Sequence, residues 1–266
     1  MKPGESVGSI GECGVAYAFS SRRIANVAGI YSPEFFHAEW PVGKFEILKN
    51  EPSSRFDYWF LNPAEMDANV GFKTMGVLGE QILVGPQSFE LQKADWSRFT
   101  AASRAPVAPK GSLRSRVDVA YEADERKADY EILPRYAHVR FLPILTHAKL
   151  GEADLIEGGR LVVGQDEMTV PTVPGKDMFV AMRTTDRCTA VQNGEFIQSP
   201  RFFSFANPLR LNLQVDGVSA GLGEATLATN ALSDVTFTIP GKFITKERSR
   251  IAFCGDHVAY AYWFYQ

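Results

Sequence analysis

The chain has 266 residues, enough for one large domain or for two domains of ordinary size, each with a buried core. Hydrophobic residues make up 45% and charged residues 22%, a balance that excludes a disordered chain and is typical of globular proteins. The net charge of −3 excludes a globally basic nucleic-acid binder, although it leaves room for a local basic patch.

The first hundred residues contain short apolar and aromatic segments separated by turn residues. Residues 14–31 fit either two strands joined by a turn or a short helix, and their periodicity does not decide between them. The remaining predictions are strands within 40–50 and 56–63, two or three short strands within 71–92, and a short helix at 93–103.

The second part of the chain has a denser strand pattern. A loop is predicted at 104–116, and Gly158-Gly159 is interpreted as the doublet of a hairpin turn. The clearest strand is 209–215, in which four apolar residues alternate with polar ones, as in a half-buried strand. The other predicted strands lie at 116–122, 136–145, 177–184, 202–206, 234–241, 249–255 and 257–265.

Strand candidates every 8 to 15 residues, joined by Gly and Pro turns, predict a mainly β fold with antiparallel pairing, in one or more sandwiches. Helix is expected in less than about a fifth of the residues. The aromatic segment 257–265 is predicted to be an interior strand, because an exposed aromatic edge would promote aggregation.

Two pairs of similar segments recur about half a chain apart. PVGKFEI at 41–47 resembles PGKDMFV at 174–180, and FLNP at 60–63 resembles FANP at 205–208. They fit two similar domains, at residues 1–140 and 141–266. Alternatively, they reflect Pro-Gly turns before aromatic strands, which recur in any β protein.

Motifs that would identify an enzyme are absent from the sequence. There is no phosphate-binding loop, no GxSxG and no HExxH, and His37, His138, His147 and His257 are scattered. Cys254 and His257 are expected to face opposite sides of a strand, with Gly255-Asp256 as a type I′ turn. We therefore predict a non-enzymatic protein with no catalytic residues, no cofactor-binding residues and no metal ligands.

The cysteines and the hydropathy pattern bear on the protein's environment. Cys13, Cys188 and Cys254 are widely spaced and form no CxxC pair, which favours buried free thiols in a reducing cytosol. The N-terminus lacks the apolar core of a signal peptide, and no run of about 18 apolar residues predicts a transmembrane helix.

One segment is locally basic. It contains Arg98, Arg104, Lys110, Arg114 and Arg116 and no acidic residue. Such a segment could contact the phosphates of nucleic acid or lipid headgroups. It could equally be a soluble loop that contacts the acidic residues of 122–131, and we favour this second interpretation.

The chain resembles the double jelly-roll major capsid proteins of tailless icosahedral phages in three respects: its density of predicted strands, its similar segments about half a chain apart, and its length. The resemblance implies two eight-stranded jelly rolls in tandem and a coat subunit that forms trimeric capsomers with other virion proteins. It also implies a virion location after assembly in the host cytoplasm. A single jelly roll with long insertions and a tail or spike protein are close alternatives. A hypothesis from another class is a β-sandwich module or enzyme that acts on carbohydrate or another small ligand.

Overall fold

The computed structural model of the protein describes residues 2, 4–9, 23–27, 42–61, 79–84, 90–97, 106, 111–135, 143–190 and 201–266. The chain divides into two compact units. The first comprises Met1–Ser103 and Val191–Pro200, and the second comprises Arg104–Ala190 and Arg201–Gln266. No helix among the described residues is long and apolar enough to cross a membrane.

Among its described residues, the first unit contains one five-stranded mixed sheet. Its order is β2-β1-β3-β5-β4, in which β1 runs parallel to β2 and β3 and the other pairs are antiparallel. The elements are β1 (Val7–Ser9), β2 (Ile24–Asn26), helix α1 (Val42–Asn50), β3 (Tyr58–Leu61), β4 (Gly79–Val84) and β5 (Glu90–Ala94), with a 3₁₀ turn at Pro52–Ser54.

The strand predicted within residues 40–50 is wrong, because Val42–Asn50 is a helix. Val42, Phe45 and Leu48 are all fully buried, and their spacing of three places them on one helical face. The strand predicted within 56–63 is confirmed by β3. β4 lies within 71–92, whereas β5 begins there and ends at Ala94, inside the segment predicted as a helix. Much of 14–31 and the end of the helix predicted at 93–103 lie outside the described residues.

Where the structure describes it, the second unit pairs its strands only in the antiparallel sense and contains one short helix. Its elements are β6 (Leu113–Asp118), α2 (Glu122–Lys127), β7 (Glu131–Pro134), β8 (Pro143–Leu150), β9 (Ala153–Val162), β10 (Gly164–Pro171), β11 (Met178–Thr185), β12 (Arg187–Ala190), β13 (Arg201–Ser204), β14 (Leu209–Val215), β15 (Val218–Ala225), β16 (Leu232–Ile239), β17 (Arg248–Cys254), β18 (His257–Ala259) and β19 (Ala261–Tyr265). A second 3₁₀ turn lies at Gly241–Phe243.

Eight of these strands form a jelly roll. One sheet has the order β6-β19-β11-β16, and the facing sheet has β10-β17-β14-β15 with β7 added at the β10 edge. Numbered along the chain, the eight strands stand in the orders 1-8-3-6 and 2-7-4-5, which is the jelly-roll arrangement. A third sheet, β13-β12-β8-β9-β18, completes the unit. The predicted mainly β, jelly-roll fold is confirmed.

The core of the jelly roll lies between its two sheets, as strand alternation requires. Leu209, Leu211, Leu213 and Val215 of β14 are each at most 2% exposed, so the strand predicted from their alternation is confirmed. Tyr262 and Phe253 stack with ring centroids 4.8 Å apart, which joins β19 of one sheet to β17 of the other.

The prediction of a hairpin turn at Gly158-Gly159 is wrong, because both glycines lie inside β9. A Cβ atom on Gly159 would lie 2.3 Å from the carbonyl oxygen of Ala259 in β18. The doublet therefore marks a close approach of two strands, for which glycine provides the room.

The domain boundary predicted between residues 140 and 141 would fall inside the second unit. It would separate β6 from β19, although Arg116 pairs with Trp263 in the antiparallel register of these two strands. The two similar segments at 41–47 and 174–180 also have different structures. Most of 41–47 belongs to α1, whereas 174–180 leads into β11.

The last strand is interior, as its composition predicts. β19 lies between β11 and β6, and all five of its residues are buried. Tyr262 and Phe264 enter the jelly-roll core, whereas Ala261, Trp263 and Tyr265 form a cluster on the other face of the sheet. Both faces of this strand are therefore buried.

We expect deletion of residues 262–266 to abolish folding of the second unit, because each buried ring contributes roughly 2 kcal/mol. Soluble yield and thermal unfolding are the measurements. Deletion of Gln266 alone is the matched control. It removes hydrogen bonds to Ser112, Val173 and Lys176 but leaves all the buried aromatic rings of β19 in place. An unchanged melting temperature after the longer deletion would contradict the structural role of β19.

Candidate functional site

A pocket of about 620 Å³ lies at one end of the jelly roll, where β7 and β17 end and β10 and β14 begin. Its volume falls within the range of small-molecule sites, about 300 to 1,000 Å³. The lining residues are Arg135, Leu161, Val163, Phe203, Ser204, Phe205, Ala206, Asn207, Pro208, Leu209, Arg210, Gly255 and Asp256.

Two phenylalanines supply the aromatic part of the lining. Phe203 belongs to β13 and Phe205 follows this strand directly, so period-two geometry places their rings on the same side. Both side chains are half-buried, which leaves ring surface for a ligand to contact. Leu161 and Val163 add aliphatic surface to the same lining.

The polar side of the pocket is held in place by hydrogen bonds. Asp256 Oδ1 accepts from the backbone N–H of Gly164 at 3.0 Å and from Arg135 Nη2 at 3.1 Å. The backbone N–H of Arg135 donates to Val163 O at 2.9 Å. The side chain of Asn207 exchanges two bonds with the backbone of Leu227, at 2.9 and 3.0 Å. The site is therefore largely pre-formed, which reduces the entropic cost of binding.

Gly255 forms the turn that brings Asp256 to the pocket. Its φ of +150° disfavours other residues, and a Cβ atom would lie 2.8 Å from Leu211 Cδ2 and 2.9 Å from Arg210 O. The type I′ hairpin predicted here is wrong, because β17 and β18 belong to different sheets and do not pair with each other. The turn sends the chain from the sandwich into the third sheet.

A cluster of buried polar side chains lies directly behind this turn. His257 Nδ1 bonds to the carbonyl oxygen of Gly255 at 2.9 Å, and His257 Nε2 lies 3.1 Å from Tyr262 Oη and 3.4 Å from Asp166 Oδ1. Asp166 Oδ2 accepts hydrogen bonds from Tyr262 Oη (2.7 Å) and Tyr130 Oη (3.0 Å). Asp166 and His257 are both fully buried, so a charge on either side chain needs a partner within the protein in place of water.

Burial alone would lower the pKa of His257, but the Asp166 carboxylate outweighs burial and raises the pKa of His257 above its ordinary value. Burial, followed by the negative charge of Asp166, raises the pKa values of Tyr262 and Tyr130 well above the ordinary range. When the imidazole is protonated, its charge and the two neutral phenols together compensate one buried carboxylate.

Cys254 and His257 do not form a nucleophile–base pair, in agreement with the sequence interpretation. The Cys254 thiol donates to Gln165 Oε1 at 3.4 Å, while the His257 ring faces Asp166 and Tyr262. Burial and the nearby carboxylates raise the pKa of Cys254, and burial raises the pKa of Cys188 to about 12. Both cysteines are free, and neither is activated as a thiolate.

His147 is the other histidine that the structure describes, and it does not line the pocket. His147 is exposed and its Nε2 lies 2.8 Å from Asp154 Oδ1, whereas His37, His138 and Cys13 lie outside the described residues. Among the residues that the structure describes, no three His, Cys, Asp or Glu side chains are grouped so as to hold a metal ion.

A second buried ionic cluster surrounds Arg183 of β11. Its guanidinium donates to Glu157 Oε1 at 2.5 Å and to both oxygens of Asp234 at 2.8 and 2.9 Å. It also lies 5.1 Å from the ring centroid of Trp263. Burial would lower the pKa of Arg183, but these carboxylates reverse the effect and raise it. The cluster is internally paired and offers no open position to a ligand.

The basic segment predicted to be a loop has a different structure where it is described. Arg114 and Arg116 belong to β6, and Arg98, Arg104 and Lys110 lie outside the described residues. Arg116 pairs with Asp118 at 2.5 Å, and its guanidinium lies 5.9 Å from the Trp263 ring. Arg116 is therefore a strand residue engaged within its own sheet.

The acidic segment 122–131 lies within the electrostatic reach of Arg116, which acts on Asp124, and it also forms ion pairs with arginines of other strands. Glu125 forms two hydrogen bonds with Arg160, at 2.6 and 2.9 Å. Arg250 pairs with Asp129 at 2.7 Å and with Glu131 at 2.8 Å. Arg160 belongs to β9 and Arg250 to β17, so both arginines reach the segment from other parts of the chain.

No protein-family model matches the chain, and no curated protein matches it by sequence. Solved structures give weak likenesses. One is a family GH115 4-O-methyl-α-glucuronidase with specificity for decorated arabinogalactans, at 10% identity and a TM-score of 0.32. That likeness covers 62% of this chain and 19% of the glucuronidase chain, so it spans only a small part of that enzyme.

Two further structures are a family 4 and a family 35 carbohydrate-binding module, the latter from Clostridium thermocellum, each at 12% identity. The family 4 likeness has a TM-score of 0.29 and covers 58% of this chain and 92% of that chain. The family 35 likeness has a TM-score of 0.28 and covers 56% and 97%. Scores this low carry no argument, so function is argued from the pocket itself.

We expect the stability that His257 contributes to depend on pH. Because the pKa of folded His257 is raised, this contribution is complete below the unfolded value of about 6.5 and is lost as pH rises through the higher folded value. The melting temperature of the wild type should therefore exceed that of His257→Gln most clearly near pH 6, and the difference should shrink towards pH 9.

The control for this comparison is His147→Gln, which replaces an exposed histidine and should change the melting temperature little at any pH. If the difference between wild type and His257→Gln is constant from pH 6 to pH 9, the charged state of the buried cluster has been assigned incorrectly.

Proposed function

We propose that the second unit is a non-catalytic binding module for a saccharide or a similar small polar ligand. The observation that supports the proposal is the pocket, with half-buried Phe203 and Phe205 beside the charged groups of Arg135, Arg210 and Asp256. Apolar walls with a few fixed polar groups are the usual chemistry of small-ligand sites. A sugar presents apolar C–H faces together with hydroxyl groups, and so matches both parts.

A binding role also fits the chemistry around the pocket. The described lining holds one carboxylate, Asp256, and no histidine or cysteine, so it offers no pair of groups for acid–base or nucleophilic catalysis. Asp256 is held by Gly164 and Arg135. Its role in the proposal is to fix the arginine and the turn that shape the pocket.

We expect wild-type protein to bind members of a panel of neutral and acidic oligosaccharides, measured by isothermal titration calorimetry. Phe203→Ala should weaken this binding about tenfold, a loss of about 1.4 kcal/mol, because it removes an aromatic contact surface. Phe243→Ala is the matched control, because Phe243 is a half-buried phenylalanine that does not line the pocket. Equal loss of binding in both variants, or no binding by the wild type, would contradict the proposal.

The coat-subunit hypothesis is the second candidate, and one observation favours it. β15 is an edge strand of the sandwich, and its side chains Val218 and Leu222 are 58% and 66% exposed. An edge strand with exposed apolar residues favours pairing with another copy of the chain. In this candidate the subunits form trimers within a virion, and Arg114 is a described basic side chain exposed to nucleic acid or lipid headgroups.

For this second candidate, we expect light scattering coupled to gel filtration to give the mass of a trimer or a larger discrete particle. Leu222→Lys should lower that mass, because it places a charge on the edge strand. Arg248→Lys, which keeps the charge at an exposed position of β17, is the control. A monodisperse monomer at high protein concentration would contradict the coat role and would leave the binding proposal unaffected.

A further inference from the structure

The charges of the pocket are unbalanced within its lining. Arg135 and Arg210 supply two guanidinium groups, against the single carboxylate of Asp256. The chain as a whole has a net charge of −3, so the positive balance is local to this site. A pocket for a neutral sugar does not require two cations in its wall, whereas a ligand with a negative group would use both.

The carboxylate of Asp256 does not cancel this positive balance. One of its oxygens, Oδ1, accepts both from Gly164 N and from Arg135 Nη2. It bonds to a single nitrogen of the Arg135 guanidinium, which has five donors in total. Donors of Arg135 therefore remain for a ligand without loss of the Asp256 contact. The Arg135 side chain is 52% exposed, so water and small solutes reach it.

Arg210 is paired outside the lining. Its Nε donates to Glu224 Oε2 at 2.8 Å, and Glu224 does not line the pocket. The two side chains are 64% and 49% exposed, which makes this a surface ion pair of low stability. A carboxylate in the pocket can therefore take the place of Glu224 and form the stronger paired contact that arginine makes with carboxylates.

We propose that the pocket selects an acidic saccharide, a uronic acid or an oligosaccharide that contains one, whose carboxylate binds Arg135 and Arg210 while its ring contacts Phe203 and Phe205. This inference rests on the proposed function, since it names the ligand class of the same site. Glu224 acts in it as an internal competitor that occupies Arg210 when the pocket is empty.

The test uses the full chain and matched pairs of methyl glycosides, glucuronate against glucose and galacturonate against galactose, titrated by NMR. We expect at least one acidic member to bind about tenfold more tightly than its neutral partner, with the preference reduced by added salt. Neutral sugars bound as tightly as acidic ones would overturn the inference and leave the proposed function standing. No binding by any sugar would overturn both.

Two variants separate a ligand contact from a structural role. Arg210→Gln should weaken binding of the acidic sugar about tenfold, whereas Glu224→Gln should strengthen it several-fold, because it removes the competitor. If the ion pair only supported the fold of the pocket, both substitutions would weaken binding in the same way, and that result would overturn the inference. Thermal unfolding of both variants checks that each remains folded, as expected for an exposed pair.

Discussion

The second unit depends on the burial of one strand on both of its faces. β19 pairs with β11 on one side and β6 on the other, and so joins the middle of its sheet. Its inward residues Tyr262 and Phe264 meet the facing sheet, while Trp263 packs against the Arg183 guanidinium on the opposite face. The hydrophobic core and the Arg183 ionic cluster therefore share one backbone segment, and neither is complete without it.

The same strand explains why charged groups are tolerated inside the sandwich. Tyr262 donates a hydrogen bond to Asp166 and lies next to His257, so a core aromatic residue also compensates a buried carboxylate. Leaving such a charge unpaired would cost several kcal/mol, which makes the complete set of contacts necessary. His257 in turn holds the Gly255 carbonyl at the edge of the pocket. The position of the proposed binding site thus follows from the packing of the core.

The sequence predicts a strand well where one face of the strand is buried and the other is exposed to solvent. In β14, apolar residues alternate with Arg210, Asn212 and Gln214, and that pattern reports the buried face directly. The prediction fails for α1, because the spacing of three between Val42, Phe45 and Leu48 lies in a short segment interpreted from the sequence as a strand. It also fails at Gly158-Gly159, because a close approach of strands and a tight turn call for the same residue.

The pocket and the buried cluster could not be predicted in the same way. Asp166 and Tyr262 are 96 residues apart in sequence, and the pocket combines residues from four separate segments of the chain. The spacing of residues along the sequence does not predict which distant residues meet in the folded protein. The sequence predicts a strand at 202–206. Its role as the aromatic part of a pocket also requires Arg135 and Asp256, which come from distant parts of the chain.

The pairing of β6 with β19 has a consequence for the synthesis of the protein on the ribosome. Ser112, just before β6, exchanges backbone hydrogen bonds with Gln266, 154 residues further along the chain. The first strand of the jelly roll therefore waits for its partner until the ribosome has translated β19, the last strand of the jelly roll. During that interval its edge and those of the strands made after it stay open to unwanted association, a stage at which chaperones commonly act.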